Sequence, residues 1–192
     1  SREEMRFLAD IIARPLSTTV SRYQRLNLSR RRGNAVRESL AKAGAIERVA
    51  IATRSGQVVL YQLTGHGAAI CSAHHIDPGP SPRESPEHRF WVAQASRYFE
   101  KKGYDVTREH PVKGNGAVDI LAARPGEKVA VEVETGKSNV KENLNKIKVA
   151  GFDRIVLVAT TPSAASACQK AIDKILPNTP RKVELLSWLD VS

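Results

Sequence analysis

The sequence predicts an α+β domain followed by an α/β domain in which helices flank a central mixed sheet. Three observations lead to this prediction. A segment rich in proline and serine, 72–86, carries no periodic pattern. Before it, apolar residues recur at helical spacing and are followed by two short β segments. After it, apolar β segments alternate with helical stretches. We therefore expect domains at 1–71 and 87–192, joined by a linker at 72–86.

The charge balance narrows the function class. The 192 residues include 30 Lys and Arg against 20 Asp and Glu, a formal net charge of +10. Such a surplus favours a polyanionic partner, most simply nucleic acid. No apolar run approaches the ~20 residues that span a bilayer, and no signal peptide is evident. We therefore expect a cytoplasmic protein with no membrane partner. The start at Ser1, without Met, predicts a fragment of a longer chain.

The first domain reads as three helices, a hairpin and the start of a fourth helix. Met5, Leu8 and Ile12 lie at helical spacing, and Pro15 ends that first helix. A capping Ser or Thr and a terminating Gly delimit later helices. The predicted elements are helices at about Arg2–Ala13, Thr18–Leu26 and Ser29–Ala43, β segments Glu47–Thr53 and Gln57–Leu63, and a helix from about Thr64.

The third helix separates an apolar face from a basic one. Its apolar residues Val36, Leu40 and Ala43 are expected to pack inward. The opposite side carries cations and an amide suited to base edges and phosphates in a major groove. The predicted DNA contacts on this helix are Arg30, Arg31, Asn34 and Arg37. The alternative is a face that is merely solvated.

Two further segments give the first domain a family resemblance. LAKAGAIE, at 40–47, precedes the hairpin, and YQLTGHG, at 61–67, follows it. Together with the order of elements, these segments resemble the winged-helix family. The resemblance implies DNA binding, although some winged helices mediate only protein contacts. It also implies that Arg54, at the hairpin tip, contacts a minor groove or a phosphate.

The second domain opens with a helix that carries an acid on its apolar stripe. Ser85 and Pro86 favour a helix start, and Gly103 favours its end near Lys102. Glu87 shares a helical stripe with Trp91, Ala95 and Tyr98. An acid near a helix N-terminus is favoured by the macrodipole, but that preference does not explain the inward stripe. Glu87 is therefore a candidate site residue.

Three acids on two neighbouring apolar strands are the main functional signal. Asp119 lies in Val118–Ala122, and Glu132 and Glu134 alternate with valines in Val129–Glu134. Side chains two apart on a strand point the same way. Carboxylates are rarely buried without partners, and hard oxygen ligands suit Mg²⁺ or Mn²⁺. The alternative is an exposed sheet face with salt bridges to Lys128 or Lys137.

The pattern of Glu87, Asp119 and Glu132-Val133-Glu134 resembles the restriction-endonuclease-like nucleases, the PD-(D/E)xK superfamily. A later helix near Asn139, a strand at Arg154–Ala159 and a helix near Ser163 match that core in order. The resemblance implies phosphodiester hydrolysis and a mixed sheet flanked by helices. It implies Asp119 and Glu132 as the core metal ligands, Glu134 as a water-mediated ligand or base, and Glu87 as an outer or second-metal ligand.

One position departs from that family pattern. Glu134 stands where Lys is usual, so Lys137 becomes the candidate cationic helper. The segment VEVETGKS, at 131–138, is also similar to nuclease-like domains attached to DNA-translocating ATPases. Cutting both strands usually needs two active sites, so a homodimer is an expected state.

These patterns leave three functions open. The first is a metal-dependent DNA endonuclease targeted by the first domain. The second is a non-catalytic DNA-binding or docking module of a larger DNA-processing ATPase, in the same chain or a partner chain. The third is a transcription regulator whose second domain senses a ligand.

Overall fold

The computed structural model describes residues 1–112, 116–136, 139–148, 150–175 and 182–192. The chain forms two compact units, Ser1–Glu87 and His88–Ser192. One unit contains a small two-stranded sheet, and the other contains a five-stranded mixed sheet flanked by helices. At that level the predicted mixture of an α+β part and an α/β part is confirmed.

The N-terminal unit places a hairpin after three helices. The chain enters each of the last three helices through a Thr or Ser whose side chain accepts a backbone N–H of the first turn. The hairpin strands pair antiparallel, from Ile46 opposite Leu63 to Thr53 opposite Gly56. The elements are α1 (Arg2–Ala13), α2 (Thr19–Arg25), α3 (Arg30–Lys42), β1 (Ile46–Thr53), β2 (Gly56–Leu63) and α4 (Gly65–Ala73).

The apolar face of α3 packs into the core of this unit, with one correction to the prediction. Val36 and Leu40 are buried beside the aromatic rings of α1 and the hairpin. Ala43 is exposed, so its predicted inward position is wrong. The helix ends at Lys42, and Gly44, at a φ of +68°, turns the chain away from the helix axis. Gly33 of this helix is buried. It packs so closely against Tyr23 that a Cβ at this position would lie only 2.7 Å from the ring.

A buried ion cluster ties α1 to α2. Asp10 on α1 is only 6% exposed, and Arg22 on α2 is completely buried. Arg22 Nη1 lies 2.5 Å from Asp10 Oδ2, and Arg25 Nε lies 2.7 Å from Oδ1. Burial alone would raise the pKa of Asp10, but the hydrogen bond from Arg25 and the charges of Arg22, Arg25 and Arg14 outweigh it and lower that pKa. Asp10 therefore remains ionised at neutral pH.

The C-terminal unit is built on one mixed sheet. Its strands lie in the order β3-β4-β5-β6-β7, with antiparallel pairing from β3 to β5 and parallel pairing from β5 to β7. The elements, beginning with the helix that crosses the boundary between the units, are α5 (Pro86–Lys101), β3 (Asp105–Pro111), β4 (Ala117–Arg124), β5 (Glu127–Glu134), α6 (Val140–Lys148), β6 (Arg154–Ala159), α7 (Pro162–Ile175), β7 (Lys182–Ser187) and α8 (Trp188–Val191).

One sheet face of this unit packs against α6 and α7. Ala130, Ile155, Leu157 and Ala159 belong to the same buried cluster as the apolar residues of these two helices. Along β5, the valines alternate with the residues of this face and point to the opposite face of the strand. Within the described ranges, none of the helices has the length and apolar character needed to cross a membrane.

Candidate metal centre

The strand register brings Asp119 of β4 to the acids of β5. The antiparallel ladder pairs Leu121 with Ala130 and Ile120 with Val131. One step further along, Asp119 reaches the level of Glu132. At this level, Val133 N–H of β5 donates to the side chain of β4 rather than to its backbone. The acceptor is Asp119 Oδ2, at 2.7 Å. The predicted meeting of acids from the two strands is therefore present in the structure.

Glu132 is the most perturbed group of this cluster. Its residue is 8% exposed. Burial, the Asp119 carboxylate and then the Glu134 carboxylate raise the pKa of Glu132 to about 9. A pKa raised this far favours the protonated form of Glu132 at neutral pH.

Glu134 lies at the end of β5 and is completely buried. Asn143 of α6 donates from Nδ2 to Glu134 Oε1 at 3.1 Å. On the parallel neighbour β6, Ala159 is its register partner, and Thr160 N–H donates to its carbonyl oxygen at 3.0 Å. Glu134 is thus anchored between α6 and the end of β6. Because Glu132 and Glu134 are buried, the alternative of an exposed sheet face is wrong.

A histidine that the sequence analysis passed over contacts this cluster. His88 Nε2 of α5 lies 3.1 Å from Asp119 Oδ2, and both side chains are largely shielded from solvent. A signal for His88 was present in the sequence. Trp91, Val92, Ala95 and Phe99 are all buried, and they lie three, four, seven and eleven residues after His88. His88 therefore begins the buried stripe of this helix.

Two predicted site residues remain, Glu87 and Lys137. Glu87 is half-buried in the first turn of α5 and is the last residue of the N-terminal unit. Its role as an outer ligand stays a prediction. Lys137, the predicted cationic helper, lies outside the described residues.

The charge of the cluster fits a divalent cation. In the part of the chain that the structure describes, neither Asp119 nor Glu132 forms an ion pair with a Lys or Arg. Asp10 of the N-terminal unit, by contrast, forms ion pairs with three arginines. Asp119 and Glu132 therefore offer neighbouring carboxylate oxygens without Lys or Arg partners among the described residues, and such oxygens are the donors that Mg²⁺ or Mn²⁺ takes.

The predicted DNA contacts of the N-terminal unit divide into two groups. Arg30 and Arg31 are exposed in the first turn of α3, and Arg54 is exposed in the hairpin turn. Asn34 and Arg37 are half-buried and engaged within the unit. Tyr23 Oη donates to Asn34 Oδ1 at 3.1 Å, and Arg37 Nη2 donates to Glu38 Oε1 at 2.7 Å. The freer cations are therefore at the start of α3.

Comparison of the chain with protein-family models, with curated proteins and with solved structures gives no match. The functional argument therefore rests on the chemistry of these two regions. One holds a buried group of carboxylates contacted by an imidazole. The other presents exposed arginines on a short helix.

Proposed function

We propose that the protein is a metal-dependent DNA endonuclease that hydrolyses phosphodiester bonds. The observation that carries the proposal is the Asp119 and Glu132 pair. Two carboxyl groups at the same level of adjacent strands, one of them with its pKa raised to about 9, cost stability unless a cation or a proton relieves them. Strained arrangements of this kind are typical of functional sites.

The carboxylates differ in the roles that they fit. Asp119 and Glu132 would hold Mg²⁺ or Mn²⁺, since both keep some exposed surface. Glu134 has none, and its Oε1 is occupied by Asn143. It therefore fits better as a nearby negative charge that favours the cation than as the base that contacts the attacking water. The bound ion would lower the pKa of a water and offset charge on the phosphate.

The reaction makes one bond and breaks another. A water oxygen forms a bond to phosphorus, the bond from phosphorus to the leaving sugar oxygen breaks, and the water proton must be accepted. Glu132 keeps some exposed surface, unlike Glu134, so a water at the centre could reach it. It is our candidate for that acceptor.

The N-terminal unit would bring DNA to this centre. Arg30 and Arg31 stand exposed at the start of α3, whereas Arg32 Nε is bound to Glu3 at 2.5 Å. The element order of this unit supports a winged helix, and the element order of the C-terminal unit supports a restriction-endonuclease-like fold. Both assignments remain part of the proposal.

The direct test is cleavage of supercoiled plasmid in Mg²⁺ or Mn²⁺. We expect nicking by the parent protein, no nicking by Asp119→Asn, and parental nicking by Glu100→Gln, which alters an exposed acid on α5. Metal binding without cleavage of any DNA form would instead favour a non-catalytic docking module. Cleavage that persists in Asp119→Asn would contradict the proposed centre.

DNA binding is tested separately at the start of α3. Arg30→Ala combined with Arg31→Ala should weaken duplex binding several-fold and lower the slope of log affinity against log salt by about 1.8, or roughly 0.9 for each lost phosphate contact. Arg32→Ala is the matched control, because its guanidinium is engaged by Glu3. Equal affinity and slope in the double variant and the parent would remove α3 from the proposed interface.

A further inference from the structure

The contact between His88 and Asp119 constrains the tautomer of the imidazole. Asp119 Oδ2 accepts from Val133 N–H at 2.7 Å and lies 3.1 Å from His88 Nε2. We take the tautomer of His88 in which Nε2 carries the hydrogen, because that tautomer donates to an oxygen that already serves as an acceptor.

Two donors on one oxygen fix the orientation of the carboxylate. Turning the carboxylate away from this orientation would weaken its contacts with both Val133 N–H and His88 Nε2. The side chains of His88 and Asp119 are 17% and 16% exposed, so water competes little for this contact. Among the described residues, these contacts leave Oδ1 as the oxygen of Asp119 that can face another ligand.

We propose that His88 is a positioning residue of the metal centre, which holds Asp119 Oδ2 toward α5 and thereby presents Oδ1 to the cation. This inference rests on the proposed function, because it gives the Asp119 carboxylate a cation to face. It assigns His88 a role that neither charge nor motif spacing indicated. Hydrogen bonds that orient metal ligands typically change metal affinity about 10- to 100-fold when they are removed.

A direct metal bond from His88 is the competing role. Imidazole nitrogen is a common ligand of transition metals but not of Mg²⁺. The observed contact engages Nε2 with Asp119, so a direct metal bond from His88 would have to come from its other ring nitrogen, Nδ1. The two roles predict different outcomes for a glutamine at this position. Glutamine can place an amide N–H near the position of Nε2, but it cannot replace an imidazole as a ligand.

The experiment measures Mn²⁺ affinity of the full chain by calorimetry. His88→Ala should weaken binding about 10-fold or more, whereas His88→Gln should remain within about threefold of the parent because it keeps a donor. Arg97→Ala, at an exposed position of α5, is the matched control and should bind like the parent. In an Asp119→Asn background, His88→Ala should cause no further loss. If His88→Ala does not fold, His88→Leu makes the same comparison with more apolar volume.

Several results would overturn the inference. If His88→Ala binds Mn²⁺ as the parent does while Asp119→Asn does not, the metal centre stands and the positioning role fails. If folded His88→Gln is as weak as His88→Ala, or if bound Mn²⁺ shows electron-spin coupling to a directly bound imidazole nitrogen, His88 acts in another way. A parent protein that neither binds Mn²⁺ nor cleaves DNA would remove the proposed function and, with it, this role.

Discussion

Asp10 in the N-terminal unit and Glu132 in the C-terminal unit are both buried carboxyl groups, yet their surroundings are opposite. Asp10 is contacted by the guanidinium groups of Arg22, Arg25 and Arg14, and its pKa is lowered. Glu132 faces the carboxylates of Asp119 and Glu134, and its pKa is raised to about 9. Burial acts on both groups in the same direction. The sign of the neighbouring charges decides the outcome.

The difference separates a group that stabilises the fold from one that, in our proposal, belongs to a metal site. The cations around Asp10 compensate its buried charge within the chain, so the cluster needs no ligand. The acids around Glu132 raise its pKa instead, and in our proposal a cation from solution relieves their mutual repulsion. The same reasoning predicts that removing Asp10 should harm folding, whereas neutralising Glu132 should harm function and help folding.

The largest expected effect is that of Asp10→Ala. The change leaves the completely buried Arg22 guanidinium without its carboxylate partner. Removing one member of a buried pair typically costs about 3–5 kcal/mol. Hydrogen exchange of the amides in α1 and α2 should therefore accelerate strongly. Exchange rates close to those of the parent would show that Arg22 finds other acceptors, such as the carbonyl oxygen of Arg14 that its Nη2 already contacts at 3.1 Å.

The second effect is stabilisation by metal. A ligand that binds only the folded state adds about 2.7 kcal/mol at a concentration 100 times its Kd. Mn²⁺ should accordingly raise the melting temperature of the parent and raise that of Asp119→Asn much less. The Asp10 cluster has no excess negative charge, so Asp10→Asn should reduce the starting stability but leave the Mn²⁺ shift intact. Equal shifts in the parent and Asp119→Asn would place the metal elsewhere.

The third effect is a pH dependence set by Glu132. Because its folded pKa is raised, the stabilising contribution of its protonated form is fully present below the ordinary value of 4.5 and is lost as pH rises toward about 9. The loss has an upper limit of about 1.4 kcal/mol for each pH unit in that window. Without metal, the parent should therefore lose stability between pH 5 and 9 more steeply than Glu132→Gln. Parallel melting curves against pH would contradict the raised pKa.

The sequence predicted the strands and helices that carry Asp10 and Glu132 better than the charged side chains that surround them. Alternation in Val129–Glu134 and capping residues such as Ser29 placed strands and helices closely, because those signals are local. The meeting of Asp119 with Glu132 followed from adjacent strands. The last strand, Lys182–Ser187, was not singled out, because its residues are half-buried rather than cleanly alternating.

The misses concern side chains whose roles depend on tertiary contacts. His88 was missed because its residue type suggested a metal ligand less readily than the acid Glu87 did, although the phase of the buried helix stripe includes His88. Asp10 and Arg22 gave no sequence signal of their pairing, because the partners lie on different helices twelve residues apart. Asn143 escaped for the same reason, as its contact with Glu134 joins a helix to a strand.

The smallest expected effect is that of Arg14→Ala, and it sets the limit of the comparison. The Arg14 side chain is 58% exposed, and its Nη1 lies 3.5 Å from Asp10 Oδ1, farther than the corresponding atoms of Arg22 and Arg25. Exposed ion pairs typically contribute about 0–1 kcal/mol, because water screens them and a long side chain must be ordered. Arg14→Ala should therefore change the free energy of unfolding by less than about 1 kcal/mol, while Arg22→Ala, which strips a buried carboxylate of its closest partner, should cost about 3–5 kcal/mol. Both variants can be compared by urea denaturation of the full chain, with far-ultraviolet circular dichroism to confirm the starting fold. A loss from Arg14→Ala as large as that from Arg22→Ala would mean that Asp10 needs the full set of cations, and that burial of the partner is not what gives the cluster its strength.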